Sequence, residues 1–533
     1  MNLMCGNHSV PLRMVARPSL LVALFVLLTL ASPSVNAQPR ARKLPAPDKI
    51  VSDYLKAIGG KKSQAAIRDV VREWTVIGEQ TGGAEARART YTRAPGAARA
   101  DVIFADGEIN SAANERTAWT RGRDGKLRTL TDKEAGAAKL QAALEASRLI
   151  NYKKQDVLAR TVSIEQIGNE STYLVEFSRR NGARVRYWFS VSQKYLVQVR
   201  DDLRGRTLRL SQYRSVNGAN SAALEPHRLE IVSDQEPPLA LALQSVRYNT
   251  NLSRDLFEPP GDRTLDIAAL LREVGRNQRQ VDERISEYTY TRKETEREIN
   301  DRGEIKKEKT AIHEIYAAPG GGRALKLVSE NGVPLSPERL AKEEKRVAEE
   351  LEKIERENQK RKQKQEEAKR RNETGAGADG DEDVGITTFL RACEFVSPRR
   401  ELFRDREAIV FDFRPRPGFK PTNRGESIVA KLSGVAWIDP IEKQVMRLEA
   451  RLDQSIKVGG GLVASVKPGS AAVFEQTRLP DGVWLPRFSQ INASAKVFLF
   501  AGFRIDATRE YSDYKRFTTK ADDAKLDAPP TKQ

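Results

Sequence analysis

Residues 188–201 read WFSVSQKYLVQVRD and align without gaps against residues 437–450, WIDPIEKQVMRLEA. Each copy starts with a tryptophan and continues into a polar turn, with Lys194 and Lys443 at the same offset. A return run of period two follows, which is typical of a half-buried strand. The two segments therefore predict the same β-hairpin twice, and with it a fold that is duplicated along the chain.

The strand that enters the first hairpin has two different faces. Val185, Tyr187 and Phe189 share one face. Arg184 and Arg186 share the other. An antiparallel strand of this kind packs on a core with its apolar face and meets water with its charged face. The pattern predicts an antiparallel sheet that is buried on one side.

Each half of the chain also opens with an amphipathic helix. Apolar residues recur at helical spacing over 50–58, and Gly59 and Gly60 supply the stop. In the second half, Asp266 can cap a helix with an apolar face over 267–285. Strands are predicted after these helices at 71–78, 89–104, 288–299, 310–316 and 324–328.

A second helical segment follows in each half. Residues 131–150 are rich in Ala and Leu, and residues 336–372 form a long charged helix that precedes an acidic stretch at 375–383. Prolines in the linker 257–262 close the first sheet. The fold class is therefore predicted as α+β: two tandem curved antiparallel β-sheets, or open half-barrels. Each has an N-terminal helix and a helical lid, and the second also carries the long charged helix. The predicted domains are 38–262 and 263–533, the latter with a helical and low-complexity insertion at 336–383.

The N-terminus has the order of a secretory signal peptide. Arg13 and Arg17 precede an apolar run over 19–31, Pro33 ends the run, and small residues stand at the expected cleavage site before Gln38. The run is short for a membrane span of about 20 residues. Residues 1–37 are therefore expected to be removed, leaving a periplasmic or secreted protein; an uncleaved N-terminal anchor is the alternative.

At these hairpins the sequence resembles the periplasmic lipoprotein carriers and their relatives, the LolA/LolB-like superfamily. The resemblance lies in the order of elements: an N-terminal helix, a curved antiparallel sheet, a helical lid, and a hairpin with a tryptophan and a polar turn. It covers most of the chain in two copies. The resemblance implies an open half-barrel whose concave face holds an acyl chain or another apolar ligand.

If the resemblance holds, apolar positions on the lid and sheet of the first half line a cavity. A single short helix cannot fill the hollow of a strongly curved sheet. Ordinary core packing is the competing interpretation for each position. The candidate ligand-binding residues are Leu140, Leu144 and Leu149 on the lid, with Tyr187, Phe189 and Val197 on the sheet.

The sequence offers no recognisable catalytic or metal-binding motif. His227 and His313 have no ligand-spaced partners. Cys393 has no histidine beside it in the sequence. Its sequence neighbours are apolar, which favours a buried side chain that packs as a small hydrophobic residue. Residues 58–63 imitate the end of a phosphate loop, but Leu55 stands at the first glycine position. A non-enzymatic protein without metal or cofactor is expected, and an enzyme built from scattered carboxylates is a further alternative.

The formal net charge of +18 bears on the partners. A basic exported protein can make peripheral contact with anionic lipid headgroups, although an Arg-rich solvated surface explains the charge equally. Export removes nucleic acid as a natural partner. The leading hypothesis is a carrier for an apolar ligand such as a lipid or lipoprotein acyl chain. The alternative is an envelope scaffold that recruits a protein partner through the charged helix 336–372.

Overall fold

The computed structural model describes residues 44–77, 86–179, 182–216, 223–234, 237–300, 305–318, 321–370, 386–458, 464–497 and 503–516. The predicted signal peptide and the acidic stretch 375–383 lie outside these ranges.

The described strands of the first half form one antiparallel sheet. They are β1 (Asp69–Ile77), β2 (Ala86–Arg93), β3 (Ala97–Phe104), β4 (Gly107–Ala113), β5 (Ala118–Arg121), β6 (Leu127–Thr129), β7 (Leu158–Ile167), β8 (Glu170–Ser178), β9 (Arg184–Ser190), β10 (Leu196–Asp201), β11 (Arg206–Val216), β12 (Ala223–Ser233) and β13 (Leu239–Tyr248). Their order in the sheet is β6-β5-β4-β3-β2-β1-β13-β12-β11-β10-β9-β8-β7. The pairing of β1 with β13 joins two runs of neighbouring hairpins, and the sheet remains open at β6 and β7.

Three helices accompany this sheet: α1 (Pro47–Ala57), α2 (Lys61–Ala65) and α3 (Asp132–Ala146). The predicted stop of α1 is present, because Gly59 and Gly60 have φ angles of 115° and 91° that favour glycine. Gly60 N–H donates to the carbonyl of Leu55 at 2.8 Å, which closes the helix end. Helix α3 lies within the predicted segment 131–150 but ends at Ala146, and the chain turns through left-handed conformations at Arg148 and Leu149.

The described strands of the second half form a second open antiparallel sheet. Its helices are α4 (Ile267–Arg284), α5 (Pro337–Arg370), α6 (Ile386–Ala392) and α7 (Arg424–Val429). Its strands are β14 (Tyr288–Ile299), β15 (Ile305–Ala317), β16 (Arg323–Glu330), β17 (Val333–Pro334), β18 (Cys393–Phe403), β19 (Arg406–Pro415), β20 (Leu432–Ile438), β21 (Val445–Leu452), β22 (Ile456–Val458), β23 (Ala464–Val466), β24 (Ala471–Arg478), β25 (Trp484–Val497) and β26 (Phe503–Arg516). The main order is β17-β16-β15-β14-β26-β25-β24-β21-β20-β19-β18, and β22 and β23 branch from β25. Asp266 caps α4 as predicted, since its carboxylate accepts from Ala269 N–H at 2.9 Å.

Both predicted hairpins are present, as β9–β10 and β20–β21. The shared lysine has a structural role in each turn. Lys194 and Lys443 adopt positive φ angles of 66° and 52°. Each ammonium donates to the carbonyl three residues earlier, that of Val191 or Pro440. The lysines therefore stabilise an otherwise strained turn.

The predicted strand over residues 89–104 is wrong as a single element. The chain forms β2 and β3, which pair with each other from Arg93 against Ala97. Pro95 lies in the turn between them. Proline has no N–H to donate to a ladder, so the strand ends and the chain reverses there.

Gly434 on β20 is required by close packing rather than by its backbone conformation. A methyl group at this position would overlap the carbonyl oxygen of Glu449 on β21 and approach the ring of Phe413 on β19 to 2.6 Å. We expect Gly434→Ala to lower the free energy of unfolding by about 1–3 kcal/mol, because the sheet must shift to relieve the overlap. Urea unfolding measures this loss. Gly96→Ala is the control, since its added methyl group would meet neighbours at 3.6 Å or more; equal stability losses in both variants would contradict the packing argument.

Candidate ligand-binding cavity

Helix α3 contacts strands β2–β5 and β9 of the first sheet. It does not fill all the space in front of the sheet. The alanines of α3, including Ala135, Ala138 and Ala142, cluster with residues of β4 and β5. Leu140 and Leu144 join the separate core formed by α1 and β8–β10. The small alanine side chains let the helix lie close to β4 and β5. They are too short to reach β1 and β11–β13 in the middle of the sheet. A cavity of about 330 Å³ remains between α3 and the sheet.

The cavity wall is mainly apolar. Trp74 on β1 and Val102 on β3 contribute from one side, and Leu208, Leu229 and Leu241 contribute from β11–β13. Several of these side chains also belong to a hydrophobic cluster at the centre of the sheet. The space is therefore a continuation of the core that the protein's own side chains leave unfilled.

The six residues predicted from the sequence occupy three different environments. Leu144, Leu149 and Tyr187 lie on the cavity wall. Leu140 and Phe189 lie in the neighbouring solid core, where they are 0% and 1% exposed. Val197 is half-buried, and the register of β10 shifts between Leu196 and Gln198.

The register shift explains the position of Val197. A bulge places one extra residue in the strand, so the alternation of faces is interrupted there. As a result, Leu196 and Val199, three residues apart, both reach the cavity wall. Sequence reasoning missed these two residues and the wall positions on β11, although the alternating run RTLRLSQY from Arg206 to Tyr213 was a usable signal.

A paired cluster of charges closes the end of the cavity near the C-terminus of α3. Arg148 donates to one carboxylate oxygen of Glu225 at 2.8 Å. Arg72 donates to the other oxygen from Nε at 3.1 Å and from a terminal nitrogen at 2.9 Å. Burial opposes the ionisation of Glu225, but the two guanidinium groups outweigh it and lower its pKa to about 2. Glu225 is therefore held as a carboxylate, and its two arginines are committed to it.

Two further polar side chains lie on the cavity wall. The hydroxyl of Tyr187 is buried and has no hydrogen-bond partner among the described residues. Glu145 on α3 lines the cavity, is partly exposed to solvent, and accepts a hydrogen bond from Gln141 Nε2 at 2.8 Å. Burial raises the pKa of Glu145. These groups give the apolar space a few polar contacts, as is usual in small-molecule sites.

Cys393 and His313 do not lie on the cavity wall. Cys393 is fully buried, and burial raises the pKa of its thiol to about 12, so little thiolate forms near neutral pH. Burial also lowers the pKa of the half-buried His313. Within the described ranges, no group of three or more His, Cys, Asp or Glu side chains could hold a metal ion. None of the described helices is long and apolar enough to cross a membrane.

Comparison with known proteins finds distant similarities to solved structures. No protein-family model and no curated protein matches it. The chain is similar to a DUF1329 family protein from Desulfovibrio piger and to a LolA superfamily protein from Nitrosomonas europaea. Each match has 12% identity and a TM-score of 0.27, and covers 40% of this chain and 98% of the other. A match to MucB in complex with MucA has 7% identity and a TM-score of 0.15, and covers 87% of this chain and 94% of the other.

Proposed function

We propose that the protein is an exported, non-enzymatic carrier that holds an apolar ligand, such as a lipid or a lipoprotein acyl chain, between α3 and the first sheet. The observation that carries the proposal is the apolar cavity of about 330 Å³. Its wall presents apolar surface that the described side chains leave uncovered, and burying apolar surface away from water is favourable. An acyl chain in the cavity would cover this surface.

The proposal also accounts for the way α3 is attached. Its alanine side holds it against β4 and β5, and Arg148 beyond its C-terminus is held by Glu225. Ala138 and Ala142 of this alanine side and Leu144 of the neighbouring core also border the cavity. The helix is thus held along its length and still contributes apolar surface to the cavity, as a lid over a chain-like ligand requires.

Filling the cavity tests the proposal. Ala100 on β3 is a half-buried wall residue, and a tryptophan there would occupy part of the space. We expect the parent protein to bind a fluorescent fatty acid and Ala100→Trp to bind it at least about tenfold more weakly, a loss of about 1.4 kcal/mol. Fluorescence titration measures the affinity, and thermal melting verifies that the variant is folded.

The matched control is Ala65→Trp, which makes the same substitution at an exposed position on α2. This control should bind the probe like the parent protein. Absence of probe binding by the parent, or undiminished binding by a folded Ala100→Trp, would contradict the carrier proposal.

The scaffold alternative receives specific support from one segment. Helix α5 packs on β16 over its first part, where Val347 is buried and Glu343 accepts from Leu327 N–H at 3.1 Å. Asn358 donates to the carbonyl of Gly321 at 2.6 Å, and α5 then continues to Arg370. Among these later positions, residues 359–364, 366 and 367 are exposed. A partner-docking arm would begin after Asn358.

The scaffold alternative is tested by deleting residues 359–383, which removes the proposed docking arm and leaves the part of α5 that packs on β16. Deleting 336–383 would also uncover β16, and general destabilisation would then imitate the loss of a partner. If an envelope protein is recovered with the full chain and is absent from the 359–383 deletion at unchanged melting temperature, the scaffold function gains support. If recovery is unchanged, the helix is not the docking arm.

A further inference from the structure

We propose that the ligand is an anionic amphiphile whose carboxylate or phosphate headgroup lies against Arg204 and Arg206, with its chain along the apolar wall. This inference rests on the carrier function proposed above and specifies its ligand. The two arginines are at the turn between β10 and β11, and both line the cavity.

Arg204 is incompletely paired for a largely buried cation. Its side chain is 19% exposed, and its Nε lies 3.1 Å from a carboxylate oxygen of Asp201. Neither that Nε nor one of the terminal nitrogens has a hydrogen-bond partner of acceptable geometry within the described part of the chain. Leaving buried donors of a charged group unsatisfied is costly. An anion in the cavity would supply the missing acceptors.

Two other guanidinium groups, those of Arg206 and Arg128, lie near Arg204. Arg206 forms no ion pair with any carboxylate that the structure describes. Arg128 is committed to Glu134 at 2.9 Å. Three guanidinium groups and three carboxylates, those of Asp201, Glu134 and Glu145, thus lie near one another, and Glu145 forms no ion pair with these arginines among the described residues. Burial and the neighbouring Arg206 and Arg128 lower the pKa of Arg204, while Asp201 and Glu134 raise it, and the net shift is downward.

Two more carboxylates near this turn already pair with other arginines. Asp202 accepts from Arg186 Nε at 2.7 Å and from Arg200 Nε at 2.9 Å. Asp234 lies 3.6 Å from Arg200. At the opposite end of the cavity, Glu225 satisfies its two arginines. The incompletely paired positive charge of the cavity wall is therefore concentrated at Arg204 and Arg206.

Strand β11 connects this charge to the apolar wall. Arg206, Leu208 and Leu210 are at alternating positions, and all three line the cavity. At about 3.4 Å per residue, Arg206 and Leu210 are about 14 Å apart along the strand. A headgroup at Arg206 would place an attached chain along the two leucines, so one strand presents both the polar and the apolar part of the site.

The experiment compares ligands that differ only in the headgroup. Palmitate, hexadecyl phosphate and hexadecanol compete with a bound fluorescent fatty acid on the full chain. We expect at least one of the two acids to displace the probe at a concentration about tenfold or more below that of hexadecanol, because only an anion accepts charge-assisted hydrogen bonds from arginine. The more potent acid identifies a carboxylate or a phosphate headgroup.

Variants then locate the headgroup. In the double variant Arg204→Gln/Arg206→Gln, the advantage of the acids over hexadecanol should disappear while hexadecanol still competes. Arg209→Gln, at an exposed position on the same strand, is the control and should keep the full advantage. Equal competition by acids and alcohol in the parent, or an advantage that persists in the double variant, would overturn this inference and leave the carrier proposal standing. If the parent binds no probe at all, both fail.

Discussion

Replacing Arg399 by leucine is expected to lower the free energy of unfolding by about 3–5 kcal/mol, the range typical of breaking a buried ion pair on one side. The Arg399 side chain is 2% exposed. Its Nε donates to Glu401 at 2.6 Å and a terminal nitrogen donates to Asp412 at 2.9 Å. The two carboxylates are themselves 1% and 0% exposed. Without the guanidinium group, these buried negative charges would lose a shared partner.

Chemical unfolding of the full chain measures the effect, and Arg400→Leu is the matched control. Arg400 is adjacent in sequence but exposed. Its replacement should change the stability by no more than about 0.5 kcal/mol. If Arg399→Leu is as mild as Arg400→Leu, the buried network contributes little and the expectation is wrong.

This network joins the two halves of the chain. Arg399 donates to the hydroxyl of Thr129 on β6 at 2.6 Å. Glu401 on β18 accepts from the backbone N–H of Thr129 at 2.7 Å. Arg116 from the first half donates to Asp412 at 2.9 Å. The edge strands β6 and β18 therefore meet through charged and polar groups without sharing a ladder, which keeps both edges from pairing with another chain.

The parts of the fold that follow from local patterns could be predicted from the sequence. The period-two runs predicted the hairpins β9–β10 and β20–β21, and capping residues located the starts or ends of α1 and α4. The network between the halves was not predictable in this way. Arg399 and Arg400 are neighbours of the same type, and the contacts of Arg399 include Thr129, which is 270 positions away in the sequence. The division of the chain into one domain that ends at residue 262 and a second that begins at residue 263 stays a prediction. The described strands do form two separate sheets.

Only part of the candidate site could be predicted, because contacts between distant segments decide which apolar residues line the cavity. Alternation placed Tyr187 and Phe189 on one face correctly, but one lies on the cavity wall and the other in the solid core. That difference depends on where α1 packs, since Tyr54 of α1 contacts the ring of Phe189 at a centroid distance of 5.4 Å. The ion pairs of Glu225 join Arg72, Arg148 and Glu225, which are far apart in the sequence. No local sequence pattern predicts these pairs.

Glu225 makes the stability of the protein depend on pH in a defined window. Its folded-state pKa of about 2 lies below the ordinary value of 4.5. A depressed carboxylate pKa contributes stability that is present in full above the ordinary value and is lost as the pH falls toward the folded-state value. The expected contribution at neutral pH is about 3 kcal/mol, from about 1.4 kcal/mol per pKa unit.

The variant Glu225→Gln isolates this contribution from that of the other carboxylates. At pH 7 it should be less stable than the parent by about 3 kcal/mol or more, because Arg72 and Arg148 lose their shared carboxylate. The difference between the two proteins should shrink as the pH is lowered from about 4.5 toward 2, since the parent then loses the same charge. Urea unfolding of both proteins between pH 2 and 7 measures the difference. Glu230→Gln on the same strand, where the carboxylate is 39% exposed, is the control and should track the parent throughout. A gap between Glu225→Gln and the parent that stays constant over this range would show that the carboxylate charge does not stabilise this end of the cavity.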